Sequence, residues 1–349
     1  MAYKRLDPED FVVSADSITA PCWSDNIPTL SNLYTSSIQE AGSTGTYYLN
    51  VYQTESNNSQ AEIQFNIAYG DETGGGSLLY QAGISGLSPT RTIYGQFRNL
   101  IYPDAEDASF IFSTITSSYF YALTVERARS KQSLFPGSLN LTLYSASSQI
   151  QLTDNSNDLT VVPFVGNLRM YQIVSGSNGN AITLANSAPS ATAAGMTSQG
   201  SYGLFFPDIS TIILNGAALD LTFANGGINL ATTRSSNVDA NNNSRLFSRI
   251  TSGSNNNSSF GLNSQETITS DFVFCRARNA EFNYSENPSF ISGSTGTILY
   301  DVFINNPQTY VTTIGLYNDT NELLAVAKLS KPLKKDFTKE TLVRVKLDF

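Results

Sequence analysis

Histidine is absent from all 349 residues, and cysteine occurs only twice, at Cys22 and Cys275. Imidazole is the usual general base near neutral pH and the commonest metal ligand. Its absence excludes Ser-His-Asp triads, Cys-His dyads and histidine-bound zinc or iron. Two thiols cannot build a four-thiolate metal site. They lie 253 positions apart and nothing in that spacing calls for a disulfide, so both read as reduced, partly buried thiols. Long apolar runs are also missing: none approaches the roughly 20 residues that cross a bilayer. The opening MAYKRLDPEDF is charged, with no apolar segment of signal-peptide type behind it. These absences predict a soluble chain made in a cytoplasm, without membrane insertion. Triplets such as Asn140-Leu141-Thr142 and Asn283-Tyr284-Ser285 then follow from an Asn/Ser/Thr-rich composition and carry no glycan.

Basic charge is scarce and unevenly placed. Residues 328–349 hold seven Lys/Arg against three Asp/Glu, a local +4, which leaves −13 on the rest of a chain whose net charge is −9. An acidic body lacks the basic stripe that neutralises phosphates, so nucleic acid is not an expected partner. The basic tail has two readings. It docks on an acidic neighbour, another copy of the chain included, or it is a solvated strand face whose lysines discourage edge pairing.

What is present is the pattern of antiparallel β-structure. Helical periodicity is nearly absent, and short runs rich in Val, Ile, Thr, Tyr and Phe alternate with Gly, Ser, Asn and Pro. Residues 47–53, 61–69 and 119–125 are expected strands, and NDTNE at 318–322 reads as a hairpin turn. In the final LVRVKLDF, Val343, Val345, Leu347 and Phe349 alternate with Leu342, Arg344, Lys346 and Asp348, as in a sheet strand. Two stretches, 175–201 and 235–259, are small and polar, and their order is expected to depend on a neighbouring subunit. No short repeat is present, which argues against a solenoid. The expectation is an all-β protein of two or three antiparallel, sandwich-like domains with long polar loops: residues 1–115, 116–261, and 262–349 ending in an edge strand.

An enzyme without histidine would use carboxylates, as glycosidases do. The candidates are Asp71 with Glu72, then Asp104, Glu106 and Asp107, then Asp154 with Asp158. All lie in turn-like segments, where a solvated carboxylate has no reason to gain basicity, so catalysis is not expected. DNSND at 154–158 offers oxygens to calcium but lacks the Gly and Glu of a full loop. No cofactor or metal is expected.

Two Arg-Ala-Arg runs remain. Arg127 with Arg129, and Arg276 with Arg278, are expected on one side of an extended strand, each pair forking onto carboxylates across an interface or lying on an exposed face. The second run opens RARNAEFNYSENPSF. There Asn283, Ser285, Asn287 and Pro288 read as a stiff turn, and Phe282, Tyr284 and Phe290 as apolar anchors on the adjoining sheet or on a neighbouring subunit. With Lys334 and Lys335 of the basic tail, these residues form the candidate interface.

YALTVERARSKQSLFPGSLNLTL at 121–143, followed by QIQLTDNSNDLT at 149–160 and SYGLFFPDISTIILNG at 201–216, resembles a module of virion structural proteins of tailed bacteriophages. There, as here, a strand leads into a Pro-Gly-Ser turn, a strand, an Asp/Asn loop and a Gly-aromatic strand pair. NAEFNYSENPSF at 279–290, together with residues 303–349, resembles the C-terminal part of such proteins, especially those of contractile-tailed, T4-like phages of cyanobacteria. The likeness covers about two-thirds of the chain and extends loosely to IYGQFRNLIY at 93–102. It is one of extended texture, without a catalytic signature. It implies a non-enzymatic building block of the virion, most of all of the tail or baseplate, whose partners are other copies and neighbouring virion proteins. A receptor-binding tail protein that grips host-surface glycan, and a neck, collar or capsid-surface component, are the alternatives.

Overall fold

The computed structural model describes residues 3–37, 48–74, 90–102, 110–112, 115–145, 148–181, 201–234, 241–251 and 260–348. The chain is mainly β, with antiparallel sheets, as its alternating runs require. It divides into two units, one formed by Ile18–Glu266 and the other by Met1–Ser17 with Thr267–Phe349. The expected boundary near residue 115 falls inside a single sheet, because Ile63–Asp71 pairs antiparallel with Tyr119–Val125 along its whole length from Phe65 to Asp71.

The larger unit is built on a 12-stranded sheet. Its order is Thr29–Leu30, Phe260–Gly261, Asn140–Ser145, Ser148–Asp154, Tyr171–Ser177, Gly203–Phe206, Thr211–Asn215, Tyr119–Val125, Ile63–Asp71, Tyr48–Tyr52 and Tyr34–Ser37, with Asn180–Ala181 appended to Tyr171–Ser177. Phe65 and Phe260 belong to strands seven steps apart in this order, yet their ring centroids are 5.2 Å apart. Seven steps of a flat sheet would separate them by about 34 Å. The sheet therefore curls into a half-barrel, and the layered burial of a sandwich is reached by one sheet bending over itself. Trp23 plugs the curl at 4.8 Å from the Phe260 ring, and its Nε1 donates to the Phe260 carbonyl at 2.7 Å.

Central strands are buried on both faces. In Tyr119–Val125 the side chains of Tyr121, Leu123 and Val125 enter the main core, while Phe120 and Ala122 enter a second core on the opposite face. That second core is closed by the helix Thr90–Ile101, whose buried Thr90, Tyr94, Phe97 and Ile101 repeat at helical spacing. Gly70 permits the approach, since a Cβ there would lie 2.8 Å from the Phe120 ring and 3.1 Å from the Tyr94 nitrogen. A second helix, Asn242–Thr251, inserts Leu246 and Ile250 into the main core against Ile63–Asp71 and Asn140–Ser145. Order within 235–259 therefore needs no neighbouring subunit at residues 241–251. Two apolar side chains one turn apart suffice to dock that segment on its own sheet. The remainder of that stretch, and 182–200 of the other polar one, lie outside the described residues.

The smaller unit contains two sheets. In one, residues 11–17 of the strand Phe11–Pro21, residues 267–277 of the strand Asn263–Ala277 and Thr341–Asp348 lie side by side in that order, with Val273 opposite Val345 and Ala277 opposite Thr341. Thr341–Asp348 alternates as expected: Val345 is buried, Val343 and Leu347 are half-buried, and Leu342, Arg344, Lys346 and Asp348 are exposed. Phe349 lies outside the described residues. The other is a ribbon of Gln308–Tyr317 paired with Leu323–Asp336, closed by the expected turn at 318–322. Asn318 Oδ1 accepts from the backbone nitrogens of Thr320 and Glu322 at 3.1 and 2.8 Å, which explains why Asn opens the turn.

Candidate assembly surface

Val273, Phe290 and Val345 are the buried apolar side chains of the smaller unit among the described residues. That is a small core for a unit of this length. Its strands instead expose apolar side chains, Val12 and Val13 on Phe11–Pro21 and Leu324 and Val326 on the ribbon among them. The ribbon has no third strand among the described residues, and two-stranded ribbons are marginal in water. A thin core beside exposed apolar strands leaves apolar surface facing water.

The stretch 276–290 is a clamped turn at the base of this ribbon. Lys335 is fully buried, and its Nζ donates to the Asn279 carbonyl at 3.0 Å, to Asn283 Oδ1 at 2.8 Å and to the Asp336 carbonyl at 2.9 Å. All three ammonium protons are thereby used. Thr309, paired with Lys335 across the ribbon, donates its hydroxyl to the Phe282 carbonyl at 2.5 Å. Asn283 Nδ2 donates to the Asn279 carbonyl at 2.7 Å, and Phe282 sits at φ +56, a left-handed conformation that this bonding holds in place.

Several expected anchors are therefore occupied within the chain. Lys335 spends its ammonium within the chain, because the turn draws it inward. Phe290 stacks on Phe303, with centroids 4.9 Å apart. Arg276 lies on a strand as expected, and its Nη2 pairs with buried Asp10 at 3.2 Å. Arg278 has left the strand, and its backbone nitrogen donates to Glu281 Oε2 at 2.8 Å. Lys4 also meets Glu281, at 2.8 Å, and this hydrogen bond with the Arg278 backbone holds the carboxyl below its ordinary value. Phe282, Tyr284 and Lys334 remain on the surface.

The first Arg-Ala-Arg run departs from expectation. Arg127–Ser130 is a short helical turn, not a strand, so Arg127 and Arg129 do not share one side of an extended segment. Two backbone bonds to the Glu126 carbonyl, from Arg129 at 2.8 Å and Ser130 at 3.1 Å, end the strand at Val125. Arg129 bridges Glu62 and Ser24, each at 3.2 Å, and Arg127 reaches the Gln132 carbonyl.

The carboxylate candidates are also differently placed. Asp71 and Asp154 are buried, where solvated turns were expected. Asp154 accepts from the Gly137 nitrogen at 2.9 Å and the Ser156 nitrogen at 3.1 Å, and Asp158 accepts from the Ala181 nitrogen at 2.9 Å. Asp71 is forked by Arg234, with Nε at 2.7 Å and Nη2 at 2.9 Å, and accepts from Tyr69 Oη at 2.9 Å. Burial opposes its ionisation, but Arg234, the Thr73 nitrogen and Tyr69 outweigh that and keep the carboxyl below its usual value. The Arg234 guanidinium also lies 4.4 Å from the Tyr119 ring centroid, and Tyr119 donates to Asp220 at 2.9 Å. These acids tie loops to strands. Asp104, Glu106 and Asp107 lie outside the described residues, and among the described ones no three His, Cys, Asp or Glu side chains converge on a metal position. Cys22 and Cys275 are free thiols, and burial pushes Cys22 up to about 12.

Sequence reasoning missed the strand Phe11–Pro21. Its signal was the run FVVSADSITAP between a charged opening and Cys22-Trp23, weakened by the polar Ser14, Asp16 and Ser17 that interrupt its apolar residues. No protein-family model, curated protein or solved structure matches the chain.

Proposed function

We propose that the chain is a non-enzymatic building block of a tailed-bacteriophage virion, in the tail or its baseplate, that works by assembling with other copies and with neighbouring virion proteins. The observation that supports this reading is the smaller unit, in which three buried apolar residues stand beside strands that expose theirs. Repetition under symmetry multiplies weak strand contacts of this kind into a stable ring. The phage assignment itself rests on the likeness of residues 121–143, 149–160, 201–216, 279–290 and 303–349 to virion proteins. Immunogold electron microscopy of intact particles, with antibody raised against the recombinant chain, tests it. Label at the distal tail is expected, label at head or collar moves the protein within the virion, and absence from particles removes the reading.

A second reading, glycan binding at the host surface, is favoured by Tyr284, Tyr300 and Tyr310, all exposed in the same unit. Tyrosine faces stack on sugars as readily as on protein. Binding of the recombinant chain to purified host envelope glycan, lost in a Tyr284→Ala, Tyr300→Ala, Tyr310→Ala variant, is the result this reading requires.

A further inference from the structure

Among the described residues, two strands that lie in or enter the smaller unit have one sheet neighbour each, and they carry opposite charge. Phe11–Pro21 pairs with Asn263–Ala277, and residues 11–16 are mostly exposed, with Val13 at 57%. It carries no Lys or Arg, one acid at Asp16, and proline only at its last position. It therefore lacks the devices that normally keep a sheet edge from pairing with another chain. Among the described residues, Leu323–Asp336 pairs with Gln308–Tyr317 alone. It exposes Leu324 at 68% and Val326 at 58%, and presents Lys328, Lys331 and Lys334 to solvent.

Charge decides which edge each strand accepts. Antiparallel pairing of Phe11–Pro21 with its own copy over the full strand sets Asp16 opposite Asp16, because Asp16 is its central residue. The same operation on Leu323–Asp336 sets Lys328 opposite Lys331, and in-register parallel pairing places like beside like in both strands. Like charges directly across a strand pair are destabilising. Pairing one strand with the other sets lysine against aspartate and covers apolar side chains on both.

We infer that the edge of Phe11–Pro21 in one copy receives the Leu323–Asp336 edge of a second copy, a head-to-tail β-addition that leaves both complementary edges available for further copies. A contact between two different surfaces of the same chain propagates into rings or filaments, where a two-fold contact stops at a dimer. This interface rests on the assembly reading above and names its contact surfaces.

The test is sedimentation of the full chain at increasing concentration, alone and as charge variants. Wild type is expected to form oligomers. Asp16→Lys, and separately Lys328→Glu with Lys331→Glu, each weaken association by about tenfold or more, since a favourable cross-strand pair becomes a repulsive one. An equimolar mixture of the two variants regains association, because each then offers the other an opposite charge at both edges. Loss in both variants with recovery in the mixture supports the interface. Unchanged oligomers in both variants, or no recovery in the mixture, overturn it while assembly through some other surface stands. Monomeric wild type at every concentration overturns it too, and when particles also lack antibody label the assembly reading fails with it.

Discussion

At Lys335 a buried ammonium donates to three oxygens and thereby joins the end of the ribbon to the 279–283 turn. Lys335→Met retains the bulk and strips the donors from Asn279 and Asn283, so a loss of about 1–3 kcal/mol is expected in the smaller unit. Denaturant titration, with limited proteolysis at 278–285 as the local readout, measures it. Asp71 makes a different kind of tie. It is buried while the Arg234 side chain is 37% exposed, so Asp71→Asn is expected to cost about 2 kcal/mol, below the loss from breaking a fully enclosed pair. Because the folded carboxyl titrates below its unfolded value near 3.8, its contribution is complete above that pH and fades as pH falls through the folded value. Thermal melts of wild type and Asp71→Asn should differ at pH 7 and converge in acid; a constant gap at every pH would contradict the assignment. None of this was legible beforehand. DETG at 71–74 reads as a solvated turn, and Arg234 lies 163 positions away, a distance only the fold closes.

The strands were largely legible and the helices were not, for one reason. Tyr119–Val125 and Thr341–Asp348 declare themselves by alternation and β-branched or aromatic content, whereas Thr90–Ile101 and Asn242–Thr251 carry glycine, asparagine and serine that favour turns in isolation. Helix Asn242–Thr251 exists because Leu246 and Ile250 enter the main core. Leu246→Ala is therefore expected to destabilise the unassembled chain by about 2–5 kcal/mol. An equilibrium unfolding curve of the monomer at low concentration decides this; an unchanged curve there, with loss only in assemblies, would return the segment to a neighbour's support. Arg127 teaches the same lesson at smaller scale. Its sequence context matches that of Arg276, yet one run turns helical and the other stays in a strand through Ala277, because Arg276 and Ala277 still pair with Leu342 and Thr341 whereas the ladder of Tyr119–Val125 ends at Val125.

For the whole molecule, the contrast between a unit with two extensive cores and one with three buried apolar residues among those described predicts two calorimetric transitions. The minor, lower one should belong to the smaller unit and rise with protein concentration, as binding to the folded state requires. A single transition independent of concentration would count against partner-dependent completion. The candidate interface was legible only in part: Phe282, Tyr284 and Lys334 are on the surface, while Phe290 and Lys335 serve the interior and Phe11–Pro21 was missed. By itself the sequence determined what local chemistry can determine. Missing imidazole removed the common catalytic designs, alternation set the β class, and the lysines of 328–346 set a basic edge. Which strands neighbour one another was decided by the tertiary structure alone, because pairing joins residues as distant as Phe65 and Val125 or Leu30 and Phe260 through backbone groups that every residue shares. Hence the curl of the large sheet, the burial of Asp71 and Lys335, and the placing of two strands of opposite charge with one sheet neighbour each among the described residues are properties of the fold.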